Sequence, residues 1–285
     1  MTAVVEISGV SKVFEARGLA AGRVEALVDI DLSVAPGEFV SLIGPSGCGK
    51  STLLRIVGDL TSPTTGSVSV NGKPAPQARL DRDYGMVFQA PILFDWRTVQ
   101  ANVELPLEIN GTPRAERTKL ATDNLRLVEL TDFAGHYPWQ LSGGMQQRVA
   151  IARALAVDPA ILLMDEPFGA LDEMTRERMN LELLKIWDRT GTTVMFVTHS
   201  IAEAVFLSTR VVVMSARPGR ISAIIDIDLP RERTVDTREM DDYFRLVTAV
   251  REALRGDEAR GGSPGGDDSD APAAARRVAA EGLSG

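Results

Sequence analysis

At 285 residues the chain is long enough for one large α/β domain, or for a core with a small subdomain. Its 44% hydrophobic and 25% charged residues are ordinary soluble composition, and a net charge of −8 weighs against a nucleic-acid-binding surface, which is usually basic on one face. The single cysteine, Cys48, excludes an internal disulfide framework and suits a reducing compartment.

Residues 1–9 lack the basic start and continuous apolar core of a secretory leader. Residues 4–14 and 27–34 alternate apolar and polar side chains, which predicts edge or antiparallel strands. Pro36-Gly37 marks a turn, and the short apolar run 39–43 ends at a glycine-rich loop, after which residues 52–57 begin a helix. Residues 61–65 read as loop, and 67–70 with Asn71-Gly72 as a hairpin. Residues 84–88 form another short strand, ending at Gln89.

From Thr98 to about Thr131 the pattern is helical, with Pro106 and Gly111-Thr112-Pro113 as breaks. Residues 142–156 continue helical, and 161–164 read as a buried strand. The apolar stretch 149–164 carries Arg153 and Asp158, too costly for a bilayer centre, so no membrane span is expected. Further strands are expected at 192–197 and 210–214, separated by a helix near 200–207. Strands alternating with helices predict a mainly parallel sheet covered on both faces. Over 240–254, Phe244, Val247, Val250 and Leu254 fall on one helical face. Residues 256–285 are mostly Gly, Ala, Asp, Ser and Pro, too poor in large apolar groups to offset their ordering entropy, and are expected to be disordered.

The loop Gly44, Pro45, Ser46, Gly47, Cys48, Gly49, Lys50, Ser51 carries the chemistry of phosphate binding. Its glycines let backbone N–H groups turn toward phosphates, and the helix that follows directs its positive end at them. Lys50 is placed to neutralise the β- and γ-phosphates, and the Ser51 hydroxyl to ligate Mg²⁺. A chance match arises in about one chain per hundred of this length, and the strand–loop–helix setting lowers that further. Thiol modification at Cys48, inside the loop, is expected to block nucleotide binding, with ATP protecting. Downstream, the apolar run ending in Asp165-Glu166 puts a carboxylate at a sheet edge, where Asp165 could grip hydrated Mg²⁺ and Glu166 act as general base. Taken alone, such a run is only a strand end. Ser142, Gly143 and Gly144 open a helix whose free N–H groups could receive an anion. An ordinary N-cap accounts for Ser142 but not for both glycines and the Gln-Gln-Arg that follows.

The order of these motifs, with Leu141-Ser-Gly-Gly-Met-Gln-Gln-Arg148 between the phosphate loop and Asp165-Glu166, resembles the ATP-binding cassette (ABC) family over about residues 4–230. The resemblance implies an α/β fold: a P-loop NTPase (RecA-like) core with an antiparallel β subdomain and a helical signature subdomain. The divisions would be an ATPase domain over 1–230 (helical part about 94–150), a helical extension over 231–255 and the tail over 256–285. It also implies that Thr52 contacts the α-phosphate and that Gln89 reaches the Mg²⁺ shell or the attacking water. His199 would contact the γ-phosphate, and Asp172 would link two sites across a dimer. Phe14 would stack on adenine, although the family more often has Tyr there and Phe14 could equally be core. Ser142, Gly143 and Gly144 would close on ATP held by a second copy.

Within the family, Pro167-Phe-Gly-Ala-Leu-Asp172 with Thr175-Arg176 looks typical of importer ATPases. Phe94-Asp-Trp-Arg-Thr98 and Arg217-Pro-Gly-Arg-Ile221 look like the nitrate/sulfonate/taurine group. The expectation is an ATP-hydrolysing import motor at the cytoplasmic face of the membrane, homodimeric with ATP. It would be bound to transmembrane permease subunits, and through them to an extracytoplasmic solute-binding protein, with no nucleic-acid partner. Trp96 and Arg97 are candidates for the permease groove, or simply a packed Trp and a solvated Arg. The rival reading, a soluble ABC ATPase acting on DNA or ribosomes, lacks the long coiled coil or second cassette such members usually carry.

Overall fold

The computed structural model describes residues 3–15, 22–215, 217–261 and 277–278. Strands β1 (Val5–Glu15) and β2 (Arg23–Val34) pair antiparallel, with Val5 opposite Val34 and Phe14 opposite Val24. The run of apolar residues in β3 (Phe39–Ile43) leads directly into the phosphate loop and α1 (Lys50–Val57). The expected hairpin joins β4 (Thr65–Val70) to β5 (Lys73–Pro74) through Asn71 and Gly72, both in the left-handed region that such a turn demands. A short helix α2 (Ala75–Asp81) and strand β6 (Tyr84–Val87) follow.

Three helices come next: α3 (Val99–Ile109), α4 (Arg114–Leu127) and α5 (Gly143–Leu155). The chain then alternates β7 (Ile161–Asp165), α6 (Glu173–Thr190), β8 (Thr193–Val197), α7 (Ile201–Leu207) and β9 (Arg210–Met214). It closes with β10 (Ile221–Asp226), α8 (Asp241–Gly261) and β11 (Arg277–Val278).

These strands build two sheets. One is antiparallel, in the order β2-β1-β4-β5; the other runs β11-β10-β9-β3-β8-β7-β6 and is parallel from β9 to β6. Every residue of β3, β7, β8 and β9 is buried, yet side chains still alternate between two cores. Phe39, Ile43, Val194 and Phe196 face the core shared with α3 to α8, while Val40, Leu42, Met195 and Val197 face α1 and the antiparallel sheet. Burial on both faces is why these strands read as continuous apolar runs rather than as alternation.

The structure changes three expectations. Pro106 lies inside α3 and does not end it, although Gly111 and Pro113 do separate α3 from α4. The one donor that proline removes costs less than the burial of Val103 and Leu107 to either side returns. On α8 the expected Val250 is buried and Val247 and Leu254 pack against the core, joined there by Tyr243 and Leu246, but Phe244 is 57% exposed, so the apolar stripe lies slightly rotated from the one expected. Helix α6 has no counterpart in the periodicity reading, although Met179, Leu183, Ile186 and Trp187 recur at helical spacing between the Asp172 cap and Gly191 at φ 62. Of the tail expected over 256–285, the end of α8 and β11 are described and the rest lies outside the described residues.

Candidate functional site

The phosphate loop is shaped by close approach. A Cβ on Gly44 would lie 2.5 Å from the Met214 carbonyl oxygen, and Gly49 holds φ 96 with its Cβ position 2.5 Å from Leu27 Cδ2. No other residue fits either place. The turn delivers the free N–H groups of α1 to a cavity of about 340 Å³ lined by Ser46, Gly47, Gly49, Lys50, Ser51, Thr52 and Glu166. Lys50 is buried, its ammonium donating to the carbonyl oxygens of Gly44 at 2.7 Å and Pro45 at 3.1 Å.

A second cavity, of about 280 Å³, shares Ser51 and Glu166 with the first and adds Arg55, Gln89 and Asp165. Here the Ser51 hydroxyl donates to Asp165 Oδ1 at 2.6 Å, bridging the phosphate loop and the end of β7. Hydroxyl, carboxylate and amide oxygens form a hard donor set that fits Mg²⁺. Among the described residues no three His, Cys, Asp or Glu side chains converge as a metal cage, so phosphate oxygens and water would complete the shell.

Glu166 turns the chain off β7 at φ 49, its N–H donating to the Val197 carbonyl at 3.0 Å. This brings its Oε2 to 3.4 Å from Nδ1 of His199, the residue after β8 and Thr198. Gly169 supplies room: a Cβ there would sit 3.1 Å from Gln89 Nε2. The structure thus gathers Lys50, Ser51, Thr52, Gln89, Asp165, Glu166 and His199 around one place.

Other expected residues stand apart. Phe14, 43% exposed under the Lys12 ammonium, lines neither cavity; the 16–21 connection beside it lies outside the described residues. Ser142 caps α5 by accepting from Met145 N–H, and Asp172 caps α6 by accepting from Thr175 N–H at 3.0 Å, a bond that lowers the Asp172 pKa. Ser142, Gly143, Gly144 and Asp172 line neither cavity. Cys48 is 1% exposed and packs in the core beside the Lys50 ammonium, and burial pushes its pKa up against the opposing pull of Lys50. Burial therefore limits a reagent's access to it in the folded chain.

Two residues to which the sequence assigned no such contact tie the signature helix to Gln89. From α5, buried Gln147 donates to the Phe88 carbonyl at 3.0 Å, while Arg153 donates to those of Pro91 at 3.0 Å and Ile92 at 2.7 Å. A glutamine and an arginine set among the apolar residues of one helix were the signal. Near them, a groove of about 320 Å³ is lined by Arg82, Tyr84, Met86, Leu105, Pro106, Ile109 and Arg153. Trp96 and Arg97 do not line it: Trp96 lies exposed against Phe94, and Arg97 pairs with Glu108 at 2.8 Å.

A parallel sheet with a phosphate loop after one central strand, and an acidic pair ending another, defines a P-loop nucleotide hydrolase. The ABC transporter family profile matches residues 27–169. The nitrate import ATP-binding protein NrtD of Synechocystis sp. is 44% identical over 89% of this chain and 96% of its own length. The taurine import ATP-binding protein TauB of Rhizobium johnstonii is 47% identical over 82% of this chain and 91% of its own length. Among solved structures, a dimeric ATP-binding cassette in a post-hydrolysis state with ADP and Pi matches with TM-score 0.67 and 39% identity, over 78% of this chain and 98% of that one. The chain belongs to the ABC transporter family and is an ATP-binding cassette ATPase.

Proposed function

We propose that the chain is the ATP-hydrolysing motor of an importer for a small solute of the nitrate, sulfonate or taurine kind, or a related small organic molecule. The likeness to NrtD and TauB supports the solute class. The reading places the chain at the cytoplasmic face of the membrane; no described helix is long and apolar enough to cross one itself. The groove beside β6, α3 and α5 is the proposed seat for the permease.

The observation that carries the mechanism is what the two cavities leave out. One set of groups surrounds the phosphate loop, whereas the helix N-terminus at Ser142 and the Asp172 loop line neither of its cavities. Two copies arranged head to tail would complete each other's sites. In that dimer Lys50 and the N–H groups of α1 hold the β- and γ-phosphates of ATP, Thr52 contacts the α-phosphate, and Phe14 stacks on adenine. Ser51, Asp165 and Gln89 would hold Mg²⁺, which supplies charge neutralisation to the phosphates. Glu166 takes the proton from a water as its oxygen bonds to the γ-phosphorus and the bond to the bridging oxygen breaks, giving ADP and phosphate. His199, beside Glu166, holds the γ-phosphate, and Asp172 links the two sites.

Glu166→Gln tests this reading. It should lower hydrolysis on the order of 10²–10⁴-fold while keeping ATP binding. With saturating ATP it should elute as a dimer in size-exclusion chromatography with light scattering, and Lys50→Ala should remain monomeric. A Glu166→Gln monomer under saturating ATP would sink the shared site.

A further inference from the structure

Helix α7 begins immediately after His199, and its first turn hides a carboxyl group that the mechanism above does not use. Glu203 is 6% exposed. Its Oε2 accepts a short hydrogen bond from the Thr198 hydroxyl, the same hydroxyl oxygen accepts from Ser200 N–H at 3.0 Å, and Ser200 Oγ in turn accepts from Glu203 N–H at 3.3 Å. The residues on both sides of His199 are therefore wound onto Glu203. Nothing about capping a seven-residue helix requires a buried carboxyl to do this, since Ser200 already caps α7.

The other oxygen points to a second connection. Glu203 Oε1 is buried and finds no hydrogen-bond partner among the described residues; the same holds for Nε of Arg176. The guanidinium charges of Arg176 and Arg238 bear on the Glu203 carboxyl and oppose the upward push that burial gives its pKa. Arg238 is already engaged, bonded to Glu177 and lying 4.4 Å from the Phe206 ring centroid. Arg176 instead spends Nη2 on the Leu171 carbonyl at 2.8 Å, one residue before Asp172. An acceptor and a donor of opposite charge, Oε1 of Glu203 and Nε of Arg176, are thus both buried and unpaired in the first turns of α7 and α6, the helices that follow the His199 turn and the segment 169–172. Leaving such groups unmatched is costly, so an arrangement that joins them is favoured.

We propose that Glu203 is a positioning residue of the ATPase site: its carboxylate sets the turn that presents His199 and, through Arg176, couples that turn to the Leu171–Asp172 segment, so that the two loops move together when the site closes. The inference rests on the reading that places His199 at the γ-phosphate.

The test uses steady-state ATP hydrolysis by the full chain, with thermal unfolding followed in parallel. Glu203→Gln keeps an acceptor for Thr198 and removes the charge, and it also relieves a buried carboxylate, so its unfolding temperature should not fall. Its kcat should drop about ten-fold with KM for ATP within about two-fold of wild type, as expected for an interaction made only on the way to the transition state. Glu203→Asp, which restores the charge, should recover part of kcat. The Glu203→Gln/Arg176→Gln double variant should be no slower than the slower single variant, because both remove one connection. Full kcat in Glu203→Gln, or losses that multiply in the double variant, would overturn the proposal. His199→Ala separates the two levels. If it is inactive while Glu203→Gln is not, only the role of Glu203 fails; if it keeps full kcat, the role of His199 fails and takes this inference with it.

Discussion

Cys48 shows how a residue inside a functional loop can be shielded from solvent, its sulfur accepting from the Lys50 ammonium at 3.7 Å. Its backbone belongs to the phosphate loop, but its sulfur sits with Leu27, Leu53 and Met214 in the core between the two sheets. The thiol is held above its ordinary pKa by burial, so the folded chain has less thiolate at any given pH than a free cysteine. Carbamidomethylation by iodoacetamide at neutral pH should therefore be at least about 100-fold slower in the native chain than in urea, where the thiol is exposed and its pKa is normal. Mass spectrometry of quenched time points would measure both rates. Equal rates would mean that the loop opens freely in solution.

At this scale the phosphate loop was fully legible, because backbone geometry forces glycine at fixed spacing and leaves one place for Lys50. Glu203 was not legible, and Gln147 and Gly169 were legible only as members of their motifs, not by what they touch. Each matters through a neighbour distant in sequence: Gly169 through Gln89, Gln147 through Phe88, and Glu203 through the turn at His199 and through Arg176.

Among the elements, α5 does the most to join parts of the site. Its N-terminus is the signature, and its middle and end grip the Gln89 loop through Gln147 and Arg153. It also packs close to β6, where a Cβ on Gly85 would lie 2.5 Å from the Ala154 carbonyl oxygen. The signature helix and the Gln89 loop are thus tied to each other by three side-chain bonds, and the proposed permease groove has Arg153 in its wall. Burial lowers the Arg153 pKa, yet its two carbonyl bonds are charge-assisted and worth roughly 1.5–3 kcal/mol each. Arg153→Met should release the loop. Hydrogen exchange across residues 89–98 should rise about ten-fold or more, while protection in α1 and ATP affinity stay within about two-fold of wild type. Unchanged exchange at 89–98 would show that the loop is held by other contacts.

Helix α5 was readable from its cap and period. Helix α3 was misread at Pro106 because local propensity is overruled by the burial of Val103 and Leu107, which only the packed structure reveals.

For the whole molecule, the open question is whether the segment after β10 is part of the core or a regulatory appendage. Arg233 donates to the Phe206 carbonyl at the end of α7 at 2.7 Å and to the Pro230 carbonyl at 3.0 Å. Burial pushes its pKa down to about 10, so it is still charged at neutral pH and still a strong donor. The Tyr243 hydroxyl donates to the Ala202 carbonyl at 3.1 Å, and Leu246 and Val250 are buried in the same cluster as Phe206, Val211 and Ile225. One face of the large sheet is thus closed by α8 as much as by α7. The sequence pattern predicted the helix but placed Phe244 inward, because a helix with exposed apolar residues on two faces leaves its rotation undetermined until its partner surface is known.

If α8 is core, truncating one of its buried side chains must unfold the whole domain more easily. Leu246→Ala should cost about 2–5 kcal/mol, a large share of the roughly 5–15 kcal/mol that holds a domain together. For a domain of this size that corresponds to a fall of about 5–20 °C in the unfolding temperature, in a single transition that also carries the nucleotide site. Differential scanning calorimetry with and without ATP would decide it. An unchanged main transition, preceded by a small separate one, would make α8 an independent appendage and reopen a regulatory role for the chain beyond β10.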